Sequence, residues 1–356
     1  MKKIIALLLA LCMVFALCAC GQSTEPAKDA APADVAQAAA PADADPLADL
    51  EPITITFAVT TAEEDVGTIA CKNFIEAVEE RSNGKITFDY YPNGQLGSLQ
   101  ELTEAMATGA LDMAKLNPTM MTEYVPEWGL LILPFLIKDY DHFGEVMKSD
   151  VVKDWESRME DYNISTLGYT YSAFRSICSK TPITKVADCD GILIRSAETK
   201  IFIDTLSRMG FKPTPVPFNE MYTALQSGIV DAAEPSANVI RDMELYKLCP
   251  YVCRSNHMFS FDSINISTSL LNSLPEAYKT IIVEEAAKAC EQEHIDAREL
   301  EDSYFNDMEA DGATITTWDD FQELIDLFMP YWQETIDSIG GNAQDFVDTA
   351  VALAQK

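Results

Sequence analysis

The chain has 356 residues, with 57 Asp and Glu against 25 Lys and Arg and a formal net charge of −32. Such an acidic chain disfavours nucleic acid and anionic lipid surfaces as partners, because like charge repels them at long range. If it binds an anion, a local basic group has to overcome that field.

Lys2 and Lys3 precede an unbroken apolar run from Ile4 to Ala19. The run is short for a bilayer span and has the charged-then-apolar layout of an export signal, so residues 1–19 are expected to be a signal peptide. Leu17-Cys18-Ala19-Cys20, followed by Gly21, resembles the bacterial lipobox, which implies acylation of Cys20 as the first mature residue. A plain secretory cleavage site is the alternative. From Gly21 to Glu51 the chain is mostly Ala, Pro and Asp and has no aromatic residue. Such a segment buries too little apolar surface to offset ordering, so residues 20–51 read as a lipidated cysteine and a flexible tether. The expected location is extracytoplasmic, lipid-anchored to the cell membrane.

The body begins with a strand, Ile53 to Val59. Cys71, Phe74, Ile75 and Val78 follow at helical spacing, and Asn83-Gly84 closes that helix. Ile86, Phe88 and Tyr90 alternate as in a strand, with a turn at Pro92-Asn93-Gly94. Ser98-Leu99-Gln100-Glu101 is a capping box opening a helix that Gly109 ends, and Leu111 to Ala114 begins another strand. A segment 119 residues later repeats the pattern: Ala224–Ala233 lines up with Ala105–Ala114 as helix end, glycine, then a strand carrying Asp. Two related α/β lobes with mostly parallel sheets follow, with a ligand cleft beyond the carboxyl ends of the strands. Leu274 to Ala310 reads as one long helix, about 50 Å at 1.5 Å per residue; two shorter helices are the alternative.

Arg195 follows the strand Ile192-Leu193-Ile194 and precedes a helix with Phe202, Leu206 and Met209 on one face. A guanidinium at that place can grip a carboxylate through two parallel hydrogen bonds, beside helix N–H groups that also favour anions. An arginine paired with one of the many surface carboxylates is the alternative.

Other chemistry finds little support. Cys71, Cys178, Cys189, Cys249, Cys253 and Cys290 match no zinc spacing, and His142, His257 and His294 lie far apart, so neither a metal site nor a cofactor is expected. A Cys249–Cys253 or Cys178–Cys189 disulfide and buried free thiols are both open. There is no Gly-x-Ser-x-Gly elbow, His-Glu-x-x-His or Gly-rich phosphate loop, so an enzyme such as a surface hydrolase has no positive sign.

A set of motifs in fixed order narrows the reading. They are Tyr91-Pro-Asn-Gly-Gln-Leu-Gly97; Leu133-Pro-Phe-Leu136 with Asp139-Tyr-Asp-His142; Phe174-Arg175; Gly191-Ile-Leu-Ile-Arg195; Pro217-Phe-Asn-Glu-Met-Tyr-Thr-Ala-Leu-Gln-Ser-Gly228; Asp231-Ala-Ala-Glu234; and Asn256-His257. Together they resemble the DctP-type solute-binding proteins of TRAP (tripartite ATP-independent periplasmic) transporters, across nearly everything after residue 52. The resemblance implies an α/β, two-lobed periplasmic-binding-protein-like fold of type II, with mixed, mostly parallel sheets and a long helix spanning both lobes. The lobes are expected at 52–172 plus 261–300 and at 173–260 plus 301–356.

The resemblance also implies that Arg195 forms a salt bridge with the carboxylate of a small organic acid and that Arg175 adds a second contact. The family commonly has Asn-Pro after the position of Glu234; here Pro235-Ser236 stands instead, so Ser236 or Asn238 is expected to substitute. Tyr169 and Tyr171 are candidates for an aromatic wall, with core packing as the alternative. Asn117 either faces the cleft or caps the turn before Pro118. Glu220, Tyr222 and His257 read as structural. The implied partners are the transporter's membrane subunits, with the chain a monomer; a sensory receptor subunit of the same fold is the alternative.

Overall fold

Ile53, Ile55 and Phe57 alternate with Thr54 and Thr56, which sets one face of β1 (Ile53–Ala58) against a core. The structure, a computed structural model, describes residues 46–319 and 321–354, so the signal peptide, Cys20 and most of the tether lie outside the described residues. Helix α1 (Val66–Arg81) starts at Asp65, whose Oδ1 accepts the Thr68 amide at 3.0 Å, and lays Cys71, Phe74 and Val78 on the same core. β2 (Ile86–Tyr91) pairs parallel with β1. α2 (Leu99–Ala107) opens on the expected capping box, and β3 (Met113–Leu116) pairs parallel with the other edge of β1. Then come α3 (Tyr140–Met147), α4 (Asp150–Glu160) and the long β4 (Ile164–Phe174).

The chain next builds a second sheet. Its elements are β5 (Ile177–Ser179), β6 (Leu193–Ser196), α5 (Lys200–Arg208), β7 (Lys212–Pro215), α6 (Met221–Ser227), β8 (Ala232–Ala233), α7 (Ala237–Asp242), α8 (Leu245–Leu248) and β9 (Tyr251–Arg254). β10 (Phe259–Ser267) returns to the first sheet, followed by α9 (Thr268–Ser273), α10 (Glu276–Ala310), β11 (Thr314–Thr317), α11 (Phe321–Ile339) and α12 (Ala343–Leu353).

The strand orders are β2-β1-β3-β10-β4 and β11-β9-β5-β8-β6-β7. From one end each sheet reads alike: β2-β1-β3 and β7-β6-β8 are parallel triplets, and β10 and β5 join them antiparallel. The repeated helix–glycine–strand segment sits at the same place in both, with Gly109 (φ 75°) and Gly228 (φ 76°) each turning the chain out of its helix in the left-handed region. β7 carries Pro213 and Pro215, which have no N–H to donate, and it is an edge strand.

The chain crosses between the sheets at Arg175-Ser176, at Ser255–Met258 and at the end of α10. Arg175 and Met258 meet there, the Arg175 amide donating to the Met258 carbonyl at 2.9 Å. α10 is one unbroken helix of 35 residues. Tyr278, Ile281, Ile282, Ala286 and Cys290 pack in the core of the first sheet, and Tyr304, Phe305 and Met308 in that of the second. No described helix is long and apolar enough to cross a membrane.

Two expectations change. First, the tether boundary moves: Leu47 is buried in the first core, and Lys85 Nζ caps the carbonyls of Ala48 and Leu50 at 2.8 and 2.9 Å, so ordered chain begins several residues before Glu51. Second, the segment 301–356 does not stay with the second sheet. β11 joins it, but α12 returns to α3 and α4, stacking Phe346 on Trp155 at 4.6 Å and receiving His142 Nε2 at the Ala350 carbonyl. Of the two states left open for the cysteines, the structure has the second: all six described cysteines are free and buried.

Contact between α10 and the first sheet is close at Gly168, where an added Cβ would stand 2.7 Å from Cys290 Sγ. Gly168→Ala should therefore cost about 1–3 kcal/mol through overpacking. The double variant with Cys290→Ala should recover most of that loss, as read by urea unfolding.

Candidate functional site

Both parallel triplets end at the space between the sheets, and the side chains at those ends line one cavity. Its walls include Thr61, Asn117, Ser172, Ser260 and Asp262 from the first sheet's side, and Arg195, Glu198, Phe202, Phe218 and Ser236 from the second's, with Arg175 at a crossing segment. Its volume is about 60 Å³. Two larger concavities, about 670 and 630 Å³, lie on the outside, one along α5 and α11 and one between α3 and α10. The small cavity is where the strand ends converge, so it is the candidate site.

Arg195 is the third residue of β6, paired with Thr214 on β7 and Ala233 on β8. It thus sits inside the strand near its carboxyl end rather than after it. Its side chain is 4% exposed, and Nε donates to the Val216 carbonyl at 2.9 Å. Among the described residues no carboxylate pairs with it. Burial, the largest influence, pushes its pKa down to about 10; Glu234 offsets part of that and Arg175 adds to it. It remains a cation at neutral pH, short of hydrogen-bond acceptors.

Arg175 is differently disposed. Nε and Nη2 donate to the two oxygens of Glu234 at 2.5 and 2.8 Å, and its guanidinium lies 4.5 Å above the Phe202 ring. Glu234 is also 3.3 Å from His257 Nε2, while His257 Nδ1 meets Ser255 Oγ at 2.8 Å. Burial pushes the Glu234 carboxyl up, but Arg175 and His257 win and hold it down to about 2. The Arg175 charge is largely neutralised within the protein.

The remaining expected residues divide. Ser236 borders the cavity and bridges Arg175. Asn117 borders it too, but its amide nitrogen donates to the Phe261 carbonyl and to Asp262 Oδ1, both at 3.1 Å. Glu234 and Asn238 lie behind the walls, Asn238 donating to Asp65 Oδ2 at 2.9 Å. Tyr169 and Tyr171 do not face the cavity. Strand alternation in β4 turns Ser172 toward it and the two tyrosines away, Tyr169 onto Glu156 and Trp128, and Tyr171 onto Phe143 and a stacked His294.

Sequence reading missed a charged cluster. Lys115 on β3 is 3% exposed and places Nζ 2.6 Å from Asp262 Oδ2, 3.2 Å from Asp65 Oδ1 and 3.1 Å from Thr61 Oγ1. Burial pushes its pKa down, but Asp262 and Asp65 together outweigh that and raise it. The available signal was a lysine inside an otherwise apolar strand, Met113-Ala-Lys-Leu116.

The Glu234 carboxyl titrates near 2 when folded against 4.5 when free, so its pairing stabilises above about pH 4.5 and drains away as the pH falls toward 2. The wild type should lose about 3 kcal/mol from this source across that range. Glu234→Gln should begin roughly 3–5 kcal/mol lower at pH 7, because it strands a buried arginine, and should show a flatter acid limb. Denaturant titrations at a series of pH values measure both.

Comparisons with known proteins give the family and the fold. Residues 57–338 match the model of the DctP family, bacterial extracellular solute-binding protein, family 7. A solute-binding protein of Sulfitobacter sp. is 28% identical over 284 residues, which cover 79% of this chain and 86% of that protein. The C4-dicarboxylate-binding periplasmic protein of Rhodobacter capsulatus is 25% identical over 311 residues, 86% of this chain and 91% of the relative. In fold, the sugar acid binding protein of Advenella mimigardefordensis in complex with galactonate superposes with a TM-score of 0.82 at 22% identity, covering 86% of this chain and 100% of that one. The expected two-lobed α/β fold holds, and the chain belongs to the DctP family of extracytoplasmic solute-binding proteins of TRAP transporters, which are not enzymes.

Proposed function

We propose that this protein captures a small organic acid in the cavity between its lobes, with the carboxylate on Arg195, and that the lobes close around it. The observation that carries the reading is a buried guanidinium with one backbone acceptor and no carboxylate partner, on the wall of the cavity where the strand ends meet. A ligand carboxylate supplies the missing charge and acceptors through two parallel hydrogen bonds. The ligands of the relatives, galactonate and C4-dicarboxylate, both carry the group that this site lacks.

Closure is supported by size. About 60 Å³ takes a handful of water molecules at 10–15 Å³ each, so the walls have to part before a six-carbon acid enters. Once they shut, exclusion of water strengthens the ion pair. The closed form is then recognised by the transporter's membrane subunits, and the protein works as a monomer. An acyl chain on Cys20 holds it beside them and raises its local concentration.

An arginine kept for a ligand, not for the fold, makes an opposite-signed prediction for the free and bound protein. Without ligand, Arg195→Ala should be as stable as wild type or more so, because a buried unpaired charge is removed. With a saturating acid, at 100 times its dissociation constant, wild type should gain roughly 2.7 kcal/mol and the variant nothing. Thermal unfolding against a panel of organic acids reads both; an equal response from the two proteins rejects the site. For the anchor, Cys20→Ala should abolish palmitate incorporation and move the protein from the membrane to the soluble fraction on cell fractionation.

A further inference from the structure

The two walls of the cavity offer opposite chemistry. On the second sheet's side, Arg195 is a buried cation that no carboxylate touches among the described residues, Arg175 and Glu234 neutralise each other, and the exposed Glu198 stands at the border. On the first sheet's side one lysine faces two aspartates, Lys115 against Asp65 and Asp262, leaving one net negative charge. The side-chain N–H groups of Lys115 and Asn117 are already committed. Lys115 has three N–H groups, and its three partners are Asp262, Asp65 and Thr61. The two N–H groups of the Asn117 amide go to Phe261 and Asp262. Neither group is left to meet a second carboxylate.

Asp262 retains capacity. Its Oδ2 takes Lys115 at 2.6 Å and its Oδ1 takes Asn117 at 3.1 Å, while a carboxylate has about four acceptor positions. Its side chain is 14% exposed, and it borders the cavity. The close lysine leaves Asp262 better suited to a neutral donor than to a cation, and the hydroxyl side chains Ser172 and Ser260 stand on the same wall. Resting on the proposed carboxylate capture at Arg195, we infer that Asp262 accepts a hydrogen bond from a ligand hydroxyl, so that this protein selects polyhydroxylated monocarboxylates, of the aldonate type, over dicarboxylates. Specificity comes from the attraction of Asp262 for a hydroxyl and from the net negative charge of its cluster, which repels a second carboxylate.

A matched pair of probes isolates the choice. An aldonate and its aldarate share a carbon chain and differ at the far end, CH2OH against a carboxylate; gluconate with glucarate, galactonate with galactarate and mannonate with mannarate serve. By calorimetric titration, wild type should prefer the aldonate of at least one pair by roughly a hundredfold or more, since like charges placed together cost several kcal/mol. Asp262→Asn, which keeps the shape, should weaken that aldonate roughly ten- to a hundredfold and narrow the ratio between the pair. A residue that only supports the fold would shift both acids alike. The inference is overturned if no aldonate binds, if every aldarate binds as tightly as its aldonate, or if Asp262→Asn lowers both affinities equally. The wild-type comparison decides even where the variant folds poorly. Arg195→Ala separates the two readings: an Arg195-dependent acid found among dicarboxylates sinks only the role of Asp262, whereas binding that ignores Arg195 sinks the capture site itself.

Discussion

A guanidinium taken out of water loses hydration that one backbone carbonyl does not replace, and Arg195 stands in that deficit. Arg175, on the wall of the same cavity, shows how the fold neutralises an arginine from within: Glu234 accepts from two of its nitrogens, and His257 stands beside the glutamate with Ser255 on its other nitrogen. The same glutamate also acts on Arg195 at longer range, yet leaves it without a contact. The protein carries a net charge of −32 and so has no shortage of carboxylates to offer. That none of the described ones reaches Arg195 makes the deficit a property of the local packing, and on the proposed reading the deficit is what a ligand relieves.

The same packing ties capture to the relation between the lobes. Arg175 lies on a segment that passes from one sheet to the other, next to the second crossing at Ser255–Met258. Asp65 caps α1 on one side and accepts Asn238 from α7 on the other. Since Asp65 also holds Lys115, the charged cluster on one wall is bonded directly to the opposite lobe. A ligand that joins Arg195 to the wall of Asp262 adds a second bond of the same kind, between the same two bodies. On the proposed reading that is the differential contact by which a ligand favours the closed arrangement.

How much of this was legible depended on whether the signal was local. β1, α1, β2, the capping box at Ser98 and the long α10 follow from periodicity and cap chemistry, which act within a few residues. Arg195 was found because a strand's carboxyl end and a following helix are written in adjacent residues. Tyr169 and Tyr171 went astray because period-two alternation assigns them to one face of β4 without saying which face meets the cleft. Asn117 and Asn238 border or support the site, but their amides are spent on Asp262 and Asp65, partners 145 and 173 residues away. The return of α12 to α3 and α4 was likewise invisible, since an amphipathic helix declares that it has a partner but not which one.

The repeated scaffold gives these separate facts a common frame. Ala114 pairs with Ala58, and Ala233, its counterpart 119 residues on, pairs with Arg195; so Arg195 occupies in one lobe the place that Ala58 holds in the other. The next residue in each repeat is Lys115 in the first lobe and Glu234 in the second, two buried charges of opposite sign at equivalent strand ends. Each has been met by a group of the contrary sign: two aspartates around the lysine, an arginine beside the glutamate. The lysine's partners outnumber it, and on the other side Arg195 adds a cation where the first lobe has only a methyl group. One backbone plan has therefore been given a buried cation on one wall and a net negative buried cluster on the other. Because strand ends from both lobes converge on one cavity, a field runs across it from Arg195 toward Asp262. A molecule with a carboxylate at one end and hydrogen-bond donors at the other is the shape of charge that such a field orients, and a symmetric diacid is not.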